Sequence, residues 1–412
     1  MTSLQLGSLY SARNSDFPPA YDVVSPPPKY SPDPASGEER VQQVPRASGS
    51  QPTGSYIATR GSVTVVLNDQ ADDATEPVYS RLGRITGAIL IDSHDTVASI
   101  HVKLLGRLDY VSSDGGTSVQ TVSREATVWD GCSAVSEFSG NAPLSLVFPS
   151  SYKHDGKDHP LPPSFVYSPH GLPMMLVTST YSLCVTVSYT RRNMSFIPKT
   201  KTIRIPIRYQ PRTRPGQPIF QVPLFCGIKS SPGEWQQSIC DIKQKAGSSL
   251  SPIVMNVLLL STPIFGICDR IPIHVQISGA LESLRCLLPD PNPPTANFEP
   301  PKVYLTRQII VENSRSRTSR SIVIGEGKIM SIPPTTSQLD DEDHSNDVLD
   351  WEGEVTVDCG IARTGGFTAS GVSVRDFIHV VIRAPPSSPF QTTMIYIPIR
   401  LVTDSWQDAP GW

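Results

Sequence analysis

Long apolar runs are the first thing this sequence lacks. Its most hydrophobic stretches, such as Ile253 to Leu260, fall far short of the ~20 residues a membrane-spanning helix needs. The opening residues, MTSLQLGSLYSARNSD, hold no basic segment followed by an apolar one, so no signal peptide is expected. Cysteines are sparse and odd in number: Cys132, Cys184, Cys226, Cys240, Cys268, Cys286 and Cys359, with no CxxC pair. That argues against a disulfide frame and for reduced thiols in a soluble, cytoplasmic protein. A charge excess is missing too: 35 basic against 38 acidic residues leave a formal net of −3. No global field of that size selects nucleic acid, so any electrostatic partner must meet a local patch.

Catalytic signatures are equally absent. No nucleophile elbow, phosphate loop or dinucleotide fingerprint occurs, and the Gly-x-Gly at Gly325–Gly327 is expected in a turn between strands rather than at a helix start. His154 and His159 lie near Asp155 and Asp158 without the helical spacing of a zinc site. The run Asp340-Asp341-Glu342-Asp343 lacks the glycine and spaced ligands of a calcium loop and reads as a solvated loop. Neither catalytic residues nor a metal or cofactor are expected.

Proline is abundant. Forty prolines are about twice the average share, and Val, Ile, Thr and Ser are frequent, the profile of many short strands joined by turns. Residues 1–55 are rich in Pro, Ser, Gly and Gln and cannot bury enough apolar surface to order, so a disordered tail is expected there. From Gly61 the pattern alternates with period two. Ile85, Gly87, Ile89 and Ile91 share a face, as do Ile100, Val102 and Leu104, and Tyr181 to Tyr189 alternates strictly over nine residues. A second series begins after the turn-rich 210–217, with Ile271, Ile273, Val275 and Ile277 the clearest strand. The fold class expected is all-β: two consecutive β-sandwiches, 56–212 and 213–405, and a C-terminal tail, 406–412. An acidic surface loop, 338–350, interrupts the second sandwich. The one helix expected lies around Glu234–Ala246.

The tail carries two tetrapeptides nine positions apart, Pro18-Pro19-Ala20-Tyr21 and Pro27-Pro28-Lys29-Tyr30. Paired prolines hold the backbone near polyproline II, so little entropy is lost when their rings slot between the aromatic side chains of a WW domain, and the tyrosine reaches a second pocket. Tandem WW domains engaging both motifs gain from high effective concentration. The bland alternative is a solvated spacer with incidental tyrosines.

A basic stretch follows the clearest strand: Arg191, Arg192, Lys199, Lys201, Arg204, Arg208, Arg212 and Arg214, with no acidic residue among them. In Ile203 to Arg208 the isoleucines share one face, which turns Arg204, Pro206 and Arg208 outward, and the proline marks an edge strand. Such a patch suits acidic or phosphorylated cargo tails, or anionic lipid head groups, through charge-assisted hydrogen bonds. The competing reading is a solvated edge, or internal pairing with the acidic loop.

The order of motifs carries a resemblance. Gly83 to Ile91 followed by Ile100 to Arg107, then Leu161-Pro162-Pro163-Ser164-Phe165 and Tyr181 to Tyr189, resemble the N-terminal sandwich of the arrestin family. Asp269 to Val275, Trp351-Glu352-Gly353 and Val374 to Arg383 are similar to strands of its C-terminal sandwich. With the two PPxY motifs, the chain looks like an α-arrestin (arrestin-related trafficking adaptor), although here the motifs precede the sandwiches. The resemblance implies a non-catalytic adaptor. Its tail would recruit a WW-domain HECT-class ubiquitin ligase, while its sandwiches would hold cytoplasmic segments of membrane transporters or receptors and so promote their ubiquitination and endocytosis. It also implies recruitment to plasma membrane, endosomes or Golgi. The alternatives are a scaffold in ambient-pH signalling or a retromer-type sorting subunit, the latter leaving the PPxY motifs unexplained. A β-sandwich enzyme or lectin would be expected to show a signal peptide, disulfides or clustered carboxylates.

Overall fold

A computed structural model describes residues 52–92, 96–112, 115–132, 137–169, 175–190, 199–219, 228, 230–287, 300–313, 316–332 and 347–406, together with the backbone of 41–43. The fold is all-β. In chain order the first group of strands is β1 (Val41–Gln43), β2 (Gly54–Arg60), β3 (Val63–Gln70), β4 (Val78–Tyr79), β5 (Arg84–Ile91), β6 (Val97–Ser112), β7 (Gly115–Asp130), β8 (Asn141–Val147), β9 (Ser151–His154), β10 (Lys157–Pro160), β11 (Phe165–Tyr167), β12 (Leu176–Tyr189), β13 (Lys199–Tyr209) and β14 (Thr213–Pro215). The second group is β15 (Trp235–Ile242), β16 (Ile253–Leu260), β17 (Ile264–Gly266), β18 (Arg270–Gly279), β19 (Lys302–Glu312), β20 (Arg317–Ile332), β21 (Asp347–Val357), β22 (Phe367–Ala369), β23 (Val372–Ile382) and β24 (Thr393–Val402), with the short helix α1 (Leu281–Arg285) after β18. No helix among the described residues is long and apolar enough to cross a membrane.

Two sheets enclose the first core. One has the order β4-β13-β12-β6-β7, the other β2-β3-β5-β8. Alternation explains the packing: Tyr181, Leu183, Val185, Val187 and Tyr189 all turn inward and are buried. The second core lies within a large sheet of order β15-β16-β18-β21-β20-β19-β23-β24-β17. A bridge between Gln244 and Phe390 links the segment after β15 to the one before β24, so this sheet curls back on itself.

The cores meet. Ile309, Val311, Val372 and Val374 of the second group pack into the first core, and Phe165 stands edge-on to Phe367 with ring centroids 5.3 Å apart. The Tyr152 hydroxyl lies 2.9 Å from Ser370 Oγ and accepts the Ser370 N–H at 3.0 Å, in buried surroundings. Gly371 (φ +72°) sits against Tyr110, where an added Cβ would come within 2.5 Å of the phenol oxygen. The connection between the groups is held by Arg212, whose guanidinium grips the Asp404 carboxylate at 2.8–3.2 Å.

Three expectations are corrected. Glu234–Ala246 is not a helix: Glu234 ends a 3-10 turn, and Trp235–Ile242 pairs along its whole length with β16. A short, weakly amphipathic segment cannot nucleate a helix against such pairing. Gly325 and Gly327 lie inside β20, not in a turn. An added Cβ at Gly325 would come within 2.0 Å of the Thr356 carbonyl oxygen, so close strand contact requires the glycine. Asp347 to Asp350, assigned to the acidic loop, open β21 instead. The Asp340–Asp343 run lies outside the described residues.

Candidate functional site

Strand β13 sends Ile203, Ile205 and Ile207 into the core and turns Arg204, Pro206 and Arg208 outward. It pairs fully with β12, and with β4 only at Arg208 and Tyr209. On β12, Ser182 stands opposite Pro206 and is itself buried. The second sandwich faces this part of the sheet with Arg307 of β19 and the loop Gly360–Thr364 after β21. Between them lies a cleft of about 660 Å³ with Arg204 and Arg208 contributed by one sandwich and Arg307 and Arg363 by the other.

The four guanidinium groups differ in their partners. Arg208 donates through Nε to Oε1 of Glu76 at 2.6 Å, and Glu76 is the one acid among the described residues that line the cleft. Arg307 makes a side-on double bond to Asp376, Nε to Oδ1 at 2.7 Å and a terminal nitrogen to Oδ2 at 3.1 Å, with both side chains almost fully buried. Among the described residues, Arg204 reaches only the Ser182 hydroxyl, at 3.1 Å. Arg363 is exposed and has no partner among the described residues. Two cations are therefore neutralised and two are not, and the cleft keeps a positive balance in surroundings that screen charge less than water does.

The phenols in the wall do not offset it. Tyr181 donates to the Pro162 carbonyl at 2.6 Å, and burial raises its pKa far above the ordinary 10. Burial pushes Tyr209 up to about 12. Both stay protonated. The cleft can thus hold an anion through charge-assisted bonds from Arg204 and Arg363.

Of the basic residues singled out from sequence whose side chains are described, only Arg204 and Arg208 reach the cleft. Lys201 donates to Ser62 Oγ at 2.7 Å and sits over the Tyr189 ring, Arg212 is engaged by Asp404, and Arg214 lies over the Trp406 ring, 5.6 Å from its centroid. Arg191 and Arg192 lie outside the described residues, as does the Lys199 side chain. The tail positions Pro18, Pro19, Tyr21, Pro27, Pro28 and Tyr30 also lie outside them. Sequence reasoning missed Arg307 and Arg363. Arg307 sits in a strand read only for its apolar residues, and no local signal marks a loop arginine that tertiary folding delivers to a distant strand.

Among the described residues, internal pairing of the basic stretch runs to Glu76 and Asp404; residues 338–346 of the acidic segment lie outside them. Asp350 is occupied as well, accepting from Gln276 Nε2 and lying beside His274 Nε2, each at 3.0 Å. Among the described residues, no group of three or more His, Cys, Asp or Glu is arranged to hold a metal ion. No protein-family model matches the chain, and a search of curated proteins finds no match.

Proposed function

We propose that the protein is a non-catalytic adaptor. Its two PPxY motifs recruit a WW-domain ubiquitin ligase of the HECT class, and its basic cleft holds an acidic or phosphorylated cytoplasmic segment of a membrane transporter or receptor, which the ligase then modifies. The observation that carries the reading is the pairing of duplicated PPxY motifs with a cleft that retains two unneutralised arginines. Catalysis belongs to the ligase, and the adaptor contributes proximity.

The cleft half is tested with Arg204→Glu plus Arg363→Glu. Reversing Arg208 instead would set a carboxylate against Glu76 and confuse binding with folding. Fluorescence anisotropy of an extended phosphoserine peptide should show binding that weakens at least about tenfold in the double variant and falls with salt. Equal affinity for both proteins would remove the cleft from the reading.

A further inference from the structure

The outer face of β20, β19, β23 and β24 has a composition that the adaptor reading does not use. Register places Glu326, Tyr304, His379 and Tyr396 in one row across the four strands, and Val323, Thr306, Phe377 and Pro398 in the next. Tyr396, Met394 and Val323 are 51%, 49% and 47% exposed, so large apolar groups gather on one sheet face rather than lying scattered.

A further row is cationic. Asp376 pairs with Ile399, so Arg375 and Arg400 stand side by side on the outer face, both exposed. Among the described residues Arg375 bonds only the Ser373 hydroxyl, at 3.2 Å, and the Arg400 guanidinium has no partner. Like charges opposite each other on adjacent strands are unfavourable unless an anion lies between or above them. Lys328, two residues beyond Glu326 on β20, stands opposite Glu354 of β21, and Glu326 is the one acid within these two aromatic and apolar rows.

The chemistry of the face favours one anionic partner. His379 and Tyr396 stack on each other at 4.1 Å and 11°, which takes up one face of each ring and leaves less for a nucleic-acid base to stack on. What remains outward is ring edge, phenol oxygen, thioether and proline, bounded by arginines. That combination matches the interfacial zone of an anionic bilayer, where phosphates meet arginine and the glycerol level accepts tyrosine and methionine.

We propose that this face of the second sandwich is a docking surface for anionic lipid. The surface is separate from the basic cleft and does not depend on the tail motifs. The test is co-sedimentation of the full chain with phosphatidylcholine vesicles, with and without about 30% phosphatidylserine. Binding is expected only to the anionic vesicles and should fall with salt. Arg375→Glu with Arg400→Glu should lower partitioning at least about tenfold, and Met394→Ser with Tyr396→Ser should lower it as well. The cleft variant Arg204→Glu plus Arg363→Glu should bind as wild type does, and all variants should retain the wild-type circular dichroism spectrum, since every altered side chain is exposed. Absence of binding to anionic vesicles overturns the proposal, as does wild-type binding by either face variant. Loss of binding in the cleft variant alone would move the lipid contact to the cleft and overturn it too. WW-domain binding is untouched in every case, so failure here is distinguishable from failure of the adaptor reading.

Discussion

Pro206 and Pro398 occupy matching positions in the two sandwiches, each inside an Ile-Pro-Ile-Arg sequence of the last long strand. Two residues after each proline an arginine N–H bonds the carbonyl of another proline: Arg208 to Pro77 at 2.9 Å, and Arg400 to Pro263 at 2.8 Å. Those bonds join the short parallel strands β4 and β17 to the strand edge. They also fix the parity of the edge, so the missing N–H of each proline faces outward, where no ladder bond is lost and an incoming strand finds no donor.

Replacing both prolines by valine should therefore leave the monomer within about 1 kcal/mol of wild type but open two edges. Concentration-dependent light scattering should report self-association in the double variant, and a wild-type profile would show that the prolines do not guard the edges.

The Arg307–Asp376 pair should behave as a buried ion pair does. Asp376→Ala strands a buried guanidinium and should cost about 3–5 kcal/mol in denaturant unfolding, whereas Arg307→Met combined with Asp376→Leu should cost little. Equal losses in the two variants would contradict this.

Much of the fold was legible in the sequence because period-two alternation reports directly on which face of a strand is buried. Tyr181 to Tyr189 and Ile271 to Ile277 are the clearest cases. Trp235–Ile242 was misread because its outer positions are polar and its strand character comes from pairing with β16, which no local window records. The glycines of β20 were misread for a similar reason: close approach to Thr356 is a tertiary fact. The cleft was half legible. Arg204 and Arg208 stand out beside their isoleucines, while Arg307 and Arg363 join them only through the packing of one sandwich on the other.

Tyr152→Phe removes a hydroxyl that engages both the Ser370 backbone and side chain. The loss leaves the buried Ser370 N–H unsatisfied and should cost about 1–3 kcal/mol. Limited proteolysis should also speed up if the contact between the sandwiches depends on it, and an unchanged melting temperature would contradict that role.

His379 gives a pH dependence. Burial lowers its pKa below the ordinary 6.5, so the folded state holds the proton less tightly than the unfolded chain. Its contribution is present above the unfolded pKa and is lost as pH falls through that value towards the folded one. Tyr304 and Tyr396 face the ring from the flanking strands, with Glu326 beyond Tyr304. The drop in melting temperature between about pH 7 and about pH 5 should be smaller in His379→Phe than in wild type. An identical drop would assign the acid sensitivity elsewhere.

The most direct test of the adaptor account is titration of the full chain with the tandem WW domains of a HECT-class ligase, comparing wild type with Tyr21→Ala plus Tyr30→Ala. The account requires micromolar binding by wild type that disappears in the double variant. No binding by wild type, or equal binding by both proteins, would contradict it.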